Sequence, residues 1–380
     1  MIHVEQSRAK LNLLLAVEPK IVQGKHPLTS VFVTISLHDT LTFDFKEGRQ
    51  SGMDDSCCNL DDPQSGDCAH NKTEGLCNGI SRQDFPLRLT NVTLEVTTAP
   101  DIEALDLAAK DNIVMRATEA FFAKFNPVIP AQRLDIHLEK RIPSQAGLGG
   151  GSSNAAATLR ALARITGIEP TAPELLDVAR TLGADVPFFL FGGCVHMRGF
   201  GDEFVQRLPL PQLDLVLVKP IGGVSTKEAY RVFDEMDALD NPDTPNDSET
   251  MPASQALLSQ PRTPSCICVN HRSIAPQALL LQPRIPSATP LIVALQENAF
   301  VRSITKAMAN NLEPAASYLL KEIANMKQLL SSKPGVIHAM LTGSGSTIFG
   351  VCEDAASAQQ AANDFRSQGY WACAATTIAG

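Results

Sequence analysis

Four glycines lead into two serines and an alanine run in Pro143-Ser144-Gln145-Ala146-Gly147-Leu148-Gly149-Gly150-Gly151-Ser152-Ser153-Asn154-Ala155-Ala156-Ala157, a spacing suited to holding phosphate. Glycine has no Cβ, so the backbone can take positive φ and come close to a ligand. A helix starting there would offer unpaired N–H donors and the positive end of its dipole. Such a start binds phosphate without needing many lysines. Ser152 and Ser153 could cap the helix or donate hydroxyls to phosphate oxygens. The competing reading is a flexible glycine turn before an alanine-rich helix. Two other phosphate motifs do not fit: the G-x-x-x-x-G-K-[ST] loop lacks its lysine, and the dinucleotide pattern fails because Ser152 stands three after Gly149.

Three further features bear on the chemistry. Asp185 lies in the turn Gly183-Ala184-Asp185-Val186-Pro187, Lys10 stands early in the chain, and Gly343-Ser344-Gly345-Ser346 forms a second small-residue loop. Together with the first loop they point to phosphoryl transfer to a hydroxyl. That reaction needs a held nucleotide, neutralised charge and a base near the acceptor. Asp185 is the candidate base. Lys10 could pair with it, keeping the carboxylate ionised and adding positive charge near the transferred group. Taken singly, Lys10 reads as a strand-edge charge, Asp185 as a turn cap and His26 as a loop histidine.

The elements that must position these residues can be outlined. A strand at 134–139 precedes the glycine loop, and Ala155, Ala156, Leu159, Leu162 and Ala163 recur at helical spacing after it. Residues 10–17 and 31–45 read as strands, with a loop at 23–28 between them. Helices are expected at 112–124, at 174–182 and after Ser225, and strands at 213–218 and 348–351. Beyond Asn298, helices and strands alternate. A polar, acidic stretch at about 46–84 reads as an insertion; Cys57, Cys58, Cys68 and Cys77 within it lack paired metal-ligand spacing. A second insertion, at about 238–290, holds Cys266 and Cys268, and the segment from Gln255 to Ser265 returns from Gln277 to Ser287. Two copies are too few for a solenoid.

The chain has 380 residues, enough for two domains sharing a cleft, and its 44% hydrophobic content suits a globular protein. No run approaches the ~20 apolar residues of a membrane helix, so no membrane association is expected. The apolar run at 11–17 reads as a buried strand rather than a secretory signal, so a cytoplasmic location with reduced thiols is expected. The net charge of −9 is uneven: residues 44–75 carry −5 and 234–250 carry −7, leaving the rest near +3. That balance allows a phosphorylated ligand and argues against a nucleic-acid surface.

The stretch from Pro143 to Ala157 resembles the P-x-x-x-G-L-G-G-G-S-S-N-A-A signature of the GHMP kinases, and Gly343-Ser344-Gly345-Ser346 resembles their third motif. Ala9-Lys10-Leu11-Asn12-Leu13, the segment Gly183 to Phe189 and the segment Ser225 to Tyr230 resemble one branch of that family. Asn310-Asn311-Leu312-Glu313 does so with one substitution. The resemblance implies an α+β fold of two domains with the active site in the inter-domain cleft. Residues 1–218 would form the ATP-binding domain and 219–380 the C-terminal one. It implies transfer of the γ-phosphoryl group of ATP, with Mg2+, to a small-molecule alcohol. In this branch the acceptor is the 2-hydroxyl of a methylerythritol carried on a cytidyl diphosphate, in the non-mevalonate route to isoprenoid precursors. The alternatives are another small alcohol such as homoserine, mevalonate or a sugar, or a non-catalytic nucleotide-binding relative. By the resemblance Asp185 is the general base and Lys10 its partner. Pro143, Gly147, Leu148, Gly149, Gly150, Gly151, Ser152 and Ser153 hold the triphosphate, and Asn12, His26, Tyr230, Gly343 and Ser344 serve the acceptor. The family's D-G-Y-H turn reads Gln23-Gly24-Lys25-His26, with a lysine where the family has an aromatic ring.

Overall fold

The apolar run near the N-terminus is the second half of a longer strand, β1 (Ile2–Val17). Its first half also alternates between exposed and buried positions, but the buried members there are Glu5 and Ser7, so hydropathy alone hides it. The computed structural model describes residues 1–19, 21–46, 91–102, 109–127, 133–170, 172–209, 212–240 and 285–378. Most of both expected insertions, the repeat at 255–265 and the cysteines at 57, 58, 68, 77, 266 and 268 lie outside the described residues. Among the described residues no helix is long and apolar enough to cross a membrane.

β1 pairs antiparallel with β2 (Leu28–Lys46). On one side, β2 pairs antiparallel with β4 (Arg133–Lys140), which runs parallel to β3 (Asn91–Thr98) at the sheet edge. The start of β2 pairs instead with β5 (Cys194–Arg198), which continues into a hairpin with β6 (Glu203–Arg207). A second sheet has the order β11-β7-β10-β9, built from β7 (Asp214–Lys219), β9 (Val336–Leu341), β10 (Ile348–Cys352) and β11 (Trp371–Thr376). The strand expected at 213–218 is β7, and it bonds to β10 and β11, both strands of the second sheet. A two-residue strand, β8 (Ala309–Asn310), crosses back to lie parallel to β1.

Helices pack against both sheets. Against the first lie α1 (Ile113–Phe125), α2 (Gly150–Thr166), α3 (Pro173–Leu182) and α4 (Val186–Phe191), which share one apolar cluster with β2 and β4. The second half of the chain supplies α5 (Thr226–Asp240), α6 (Thr289–Gln296), α7 (Val301–Ala307), α8 (Glu313–Leu319), α9 (Glu322–Ser331) and α10 (Ala355–Ser367). Leu11, Leu13, Val31 and Val33 of the first sheet pack with Leu215, Leu217 and Phe349 of the second. The result is a mixed α+β arrangement in which two sheets meet through one core.

Local chemistry explains the helix ends. The Asn112 side chain accepts from the Val114 N–H at 3.0 Å and starts α1, while Asp354 caps α10 through the Ser357 N–H at 2.7 Å. α2 begins at Gly150, inside the glycine run rather than after it. Ala155, Ala156 and Ala157 are fully buried on it, and their small side chains let the helix approach the sheet closely. Glu5 on β1 then receives Arg160 and Arg164 of α2, each at 2.8 Å. Enlarging this contact should be costly. Ala156→Leu is expected to lower stability by about 1–3 kcal/mol through overpacking, read from the urea midpoint at unchanged m-value.

Candidate active site

Register shifts on β1 fall between Arg8 and Lys10 and again between Asn12 and Leu14. Irregularities of this kind bend a strand and re-aim its side chains, and here they bracket the two polar residues that face the cleft. Lys10 is 4% exposed. Its ammonium donates to Asn12 Oδ1 at 2.7 Å, lies 5.3 Å above the centre of the Phe32 ring and stands 3.7 Å from Asp185 Oδ2. Burial pulls the Lys10 pKa below its ordinary value, and the facing Asp185 carboxylate opposes that shift. Asn12 is held in turn by donating to Ser30 Oγ at 2.8 Å. Its amide oxygen serves Lys10, so one role of Asn12 is to hold the ammonium in place.

The glycine loop is sewn to both neighbours through main chain. Lys10 N donates to the Leu148 carbonyl at 3.0 Å, and Thr347 N donates to the Ala146 carbonyl at 3.3 Å. Gly147 and Gly149 have φ of +73° and +70°. A β-carbon at Gly147 would lie 2.3 Å from the Thr342 carbonyl oxygen, and one at Gly149 would lie 2.8 Å from Phe189 Cζ. Both positions therefore require glycine for conformation and for space. Gly343 sits against this loop, and the Asn310 amide fixes it by donating to the carbonyls of Leu341 at 2.9 Å and Gly343 at 2.8 Å. Glu313 completes the brace, accepting from Leu341 N at 3.1 Å while paired with Lys327. The Asn310-Asn311-Leu312-Glu313 segment thus shapes the second loop from behind.

These parts enclose a cavity of about 810 Å³. Lys10, Asn12, Asp185 and Tyr230 line it, as do Pro143, Gly147, Leu148, Gly149, Gly150, Gly151, Ser152, Gly343 and Ser344. Asp185 stands at the start of α4 with about a third of its side chain exposed. Ser152 Oγ faces the Gly183 turn that carries it: a β-carbon on Gly183 would be 3.8 Å away. The Tyr230 hydroxyl is pushed up to about 12 by burial, with Asp185 adding to the shift, so it stays a neutral donor.

Two residues expected in the site sit elsewhere. Ser153 is 1% exposed, and its hydroxyl donates to the Arg8 carbonyl at 2.6 Å and accepts from Ser7 at 2.8 Å. It anchors α2 to β1. His26 has both ring nitrogens engaged within the protein, by the Glu18 carbonyl and by Asp234. Lys25 turns its ammonium over the Phe200 ring, 5.4 Å from the centre.

Other site residues went unremarked in the sequence. Lys140 lines the cavity at the N-terminus of α2 and is paired with the fully buried Asp39. The other oxygen of that carboxylate accepts the N–H groups of Arg141 at 2.7 Å and Ile142 at 2.8 Å, which fixes the entry to the glycine loop. An acidic residue breaking an otherwise buried strand was the available signal for Asp39. Asn154 also lines the cavity, and its Oδ1 is buried without a hydrogen-bond partner among the described residues. Nothing in the letters distinguishes it from its neighbours.

A backbone-built anion cradle facing a buried lysine and a half-open aspartate defines a phosphotransferase of small-molecule kinase type. Residues 112–193 match the family model of the GHMP kinases N-terminal domain, and 291–370 that of the GHMP kinases C-terminal domain. The chain belongs to the GHMP kinase family. Over 368 residues it is 31% identical to the 4-diphosphocytidyl-2-C-methyl-D-erythritol kinase of Pelotomaculum thermopropionicum, covering 96% of this chain and 94% of that one. The corresponding kinase of Desulfitobacterium hafniense is 29% identical over 362 residues, covering 95% and 91%. The crystal structure of a 4-(cytidine 5'-diphospho)-2C-methyl-D-erythritol kinase superposes with a TM-score of 0.62 at 25% identity, covering all of both chains.

The contact at Gly147 should be intolerant of any side chain. In Gly147→Ala, the left-handed backbone alone costs about 1–2 kcal/mol, and the clash with the Thr342 carbonyl adds to it. A denaturant midpoint equal to that of the unaltered protein would contradict this close approach.

Proposed function

We propose that this protein transfers the γ-phosphoryl group of ATP to the 2-hydroxyl of 4-diphosphocytidyl-2-C-methyl-D-erythritol. The observation that carries the reading is the pairing of Lys10 with Asp185 at the edge of the glycine loop, inside a cavity large enough for two substrates. The extent of similarity to kinases of that name supports the choice of acceptor.

The triphosphate lies along the main-chain N–H groups at 147–151 and the start of α2, where the helix dipole and Lys140 favour negative charge. The acceptor hydroxyl approaches Asp185. Its oxygen forms the new bond to the γ-phosphorus, its proton passes to the Asp185 carboxylate, and the bond from the γ-phosphorus to the bridging oxygen breaks to release ADP. Lys10 neutralises charge that develops on the transferred group, in a site where burial strengthens the interaction. Asn12 keeps that ammonium in register.

The side-chain oxygens lining the cavity beside the glycine loop are hard donors, the Ser152 hydroxyl and the Asp185 carboxylate. This set fits Mg2+, which is held by a few protein oxygens together with substrate phosphates rather than by an all-protein cage. Bound there with ATP, Mg2+ would neutralise charge on the β and γ oxygens.

Measuring ADP release with the cytidyl methylerythritol substrate, homoserine, mevalonate and sugars tests the acceptor. Release with the cytidyl compound alone is expected. Asp185→Asn should lower kcat by about 10²–10⁴ while leaving ATP binding by calorimetry within about twofold; near-normal turnover would remove Asp185 from the base role. The alkaline side of the pH profile reports on Lys10. The ammonium is the useful form, so the rate holds below its lowered pKa and falls as pH rises through that value. In Lys10→Arg the residual rate should show no such limb, because a guanidinium keeps its charge.

A further inference from the structure

The turn between β1 and β2 carries an ionic contact for which phosphoryl transfer itself has no use. His26 Nδ1 lies 2.9 Å from the Glu18 carbonyl oxygen, and Nε2 lies 3.2 Å from Asp234 Oδ1. Both partners are acceptors, so the arrangement is complete when each ring nitrogen carries a proton and the ring is an imidazolium. Its side chain is 7% exposed. One face of the ring stacks on Tyr230, with centroids 5.2 Å apart and planes 29° apart, and Phe233 meets it edge-on at 6.1 Å. Tyr230 and Asp234 are four residues apart on α5 and therefore share a face of the helix. The turn belongs to the first sheet and α5 follows the second, so this contact bridges the two sides of the cleft.

We infer that Asp234 is a positioning residue for the acceptor: by holding the His26 cation between the β1–β2 turn and α5, it fixes the Tyr230 ring as a wall of the cavity. The inference rests on the kinase reading of that cavity. Asp234 touches neither substrate in this arrangement and acts through His26 and Tyr230. A cation stacked on tyrosine also gains from the ring's negative face, so losing the charge loosens the stack as well as the ion pair.

The groups facing His26 are few. From α5 come Asp234 and the Tyr230 ring, from its own turn the Glu18 carbonyl, and the adjacent Lys25 directs its ammonium away to Phe200. The hydrogen bond that His26 donates to Asp234 raises its pKa most, burial opposes it, and Glu18 adds a smaller rise. Because the folded-state value is raised, the contact is complete below the ordinary histidine value near 6.5. It is lost as pH climbs through the raised one. Acceptor affinity should weaken over that same interval.

The test pairs an NMR titration of the His26 ring in the full chain with steady-state kinetics, in the unaltered protein and in Asp234→Asn. The substitution should move the His26 titration to lower pH. It should raise the acceptor KM about tenfold at neutral pH while kcat and the KM for ATP stay within about twofold. The pH at which acceptor KM begins to rise should fall along with the titration, and Asp234→Glu should recover part of both effects. An unmoved titration, or an acceptor KM that is unchanged or rises only in step with that for ATP, overturns the positioning role alone. If the unaltered protein releases no ADP with any alcohol, the kinase reading falls, and this role with it.

Discussion

Three stretches of main chain touch one another with almost no side chain between them: the glycine loop at 146–149, β1 at Lys10 and the loop at 342–347. The Lys10 N–H to the Leu148 carbonyl, the Thr347 N–H to the Ala146 carbonyl and the packing of Gly147 on the Thr342 carbonyl define this junction. The rest of the cleft depends on it. Backbone dipoles held this way need no reorganisation when charge arrives, which is what makes a rigid, dry site effective for phosphoryl transfer. The bracing behind it is correspondingly dense. Asn310 ties down the second loop, Asp39 fixes the entry to the first, and Glu5 with Ser153 holds α2 against β1.

Burying Lys10 would be expensive without compensation, since an unpaired ammonium in apolar surroundings loses its hydration. The compensation is unequal. Asn12 Oδ1 takes the short contact at 2.7 Å and Phe32 offers its ring face, while Asp185 stands off at 3.7 Å. That inequality has a functional reading. A neutral amide satisfies the ammonium, so Asp185 is not locked into a tight ion pair and keeps a third of its side chain open to the cavity. In the proposed reaction the carboxylate would then take a proton from the acceptor while the nearby cation limits the charge that builds up. A bidentate pair between the two would have secured Lys10 and disabled Asp185.

What the letters revealed follows from which interactions are local. The glycine loop, its helix, Asp185 in its turn and the second Gly/Ser loop were legible because their geometry is written in consecutive residues. Which of two adjacent serines faces the cavity was not. Successive helical residues point about 100° apart, so Ser152 reaches the cleft and Ser153 turns to β1, a choice fixed by where the sheet lies. β3 and β6 carry polar residues over much of their length, β5 is only five residues long, and the first half of β1 hides behind its buried Glu5 and Ser7. Lys140 and Asp234 meet their partners, Asp39 and His26, only across long stretches of sequence.

The two ends of the cavity differ in the same way. The phosphate end is made largely of backbone, which tolerates few substitutions and so reads clearly as a motif. The opposite end is lined by side chains from the start of β2, by Asp185 and by α5. Such a wall can be rebuilt by exchanging side chains among those segments without moving the main chain. The turn at 199–201 illustrates this: the Gly199 carbonyl accepts from Leu28 N at 2.8 Å, which brings Phe200 beneath the Lys25 ammonium, and Gly201 sits beside Asp185. Lys25 and Phe200 thus bring a cation and an aromatic face together from two segments. On the proposed function, discrimination among acceptors would fall to this end of the cavity rather than to the loop that would hold the phosphates, because its side chains can change without disturbing the junction.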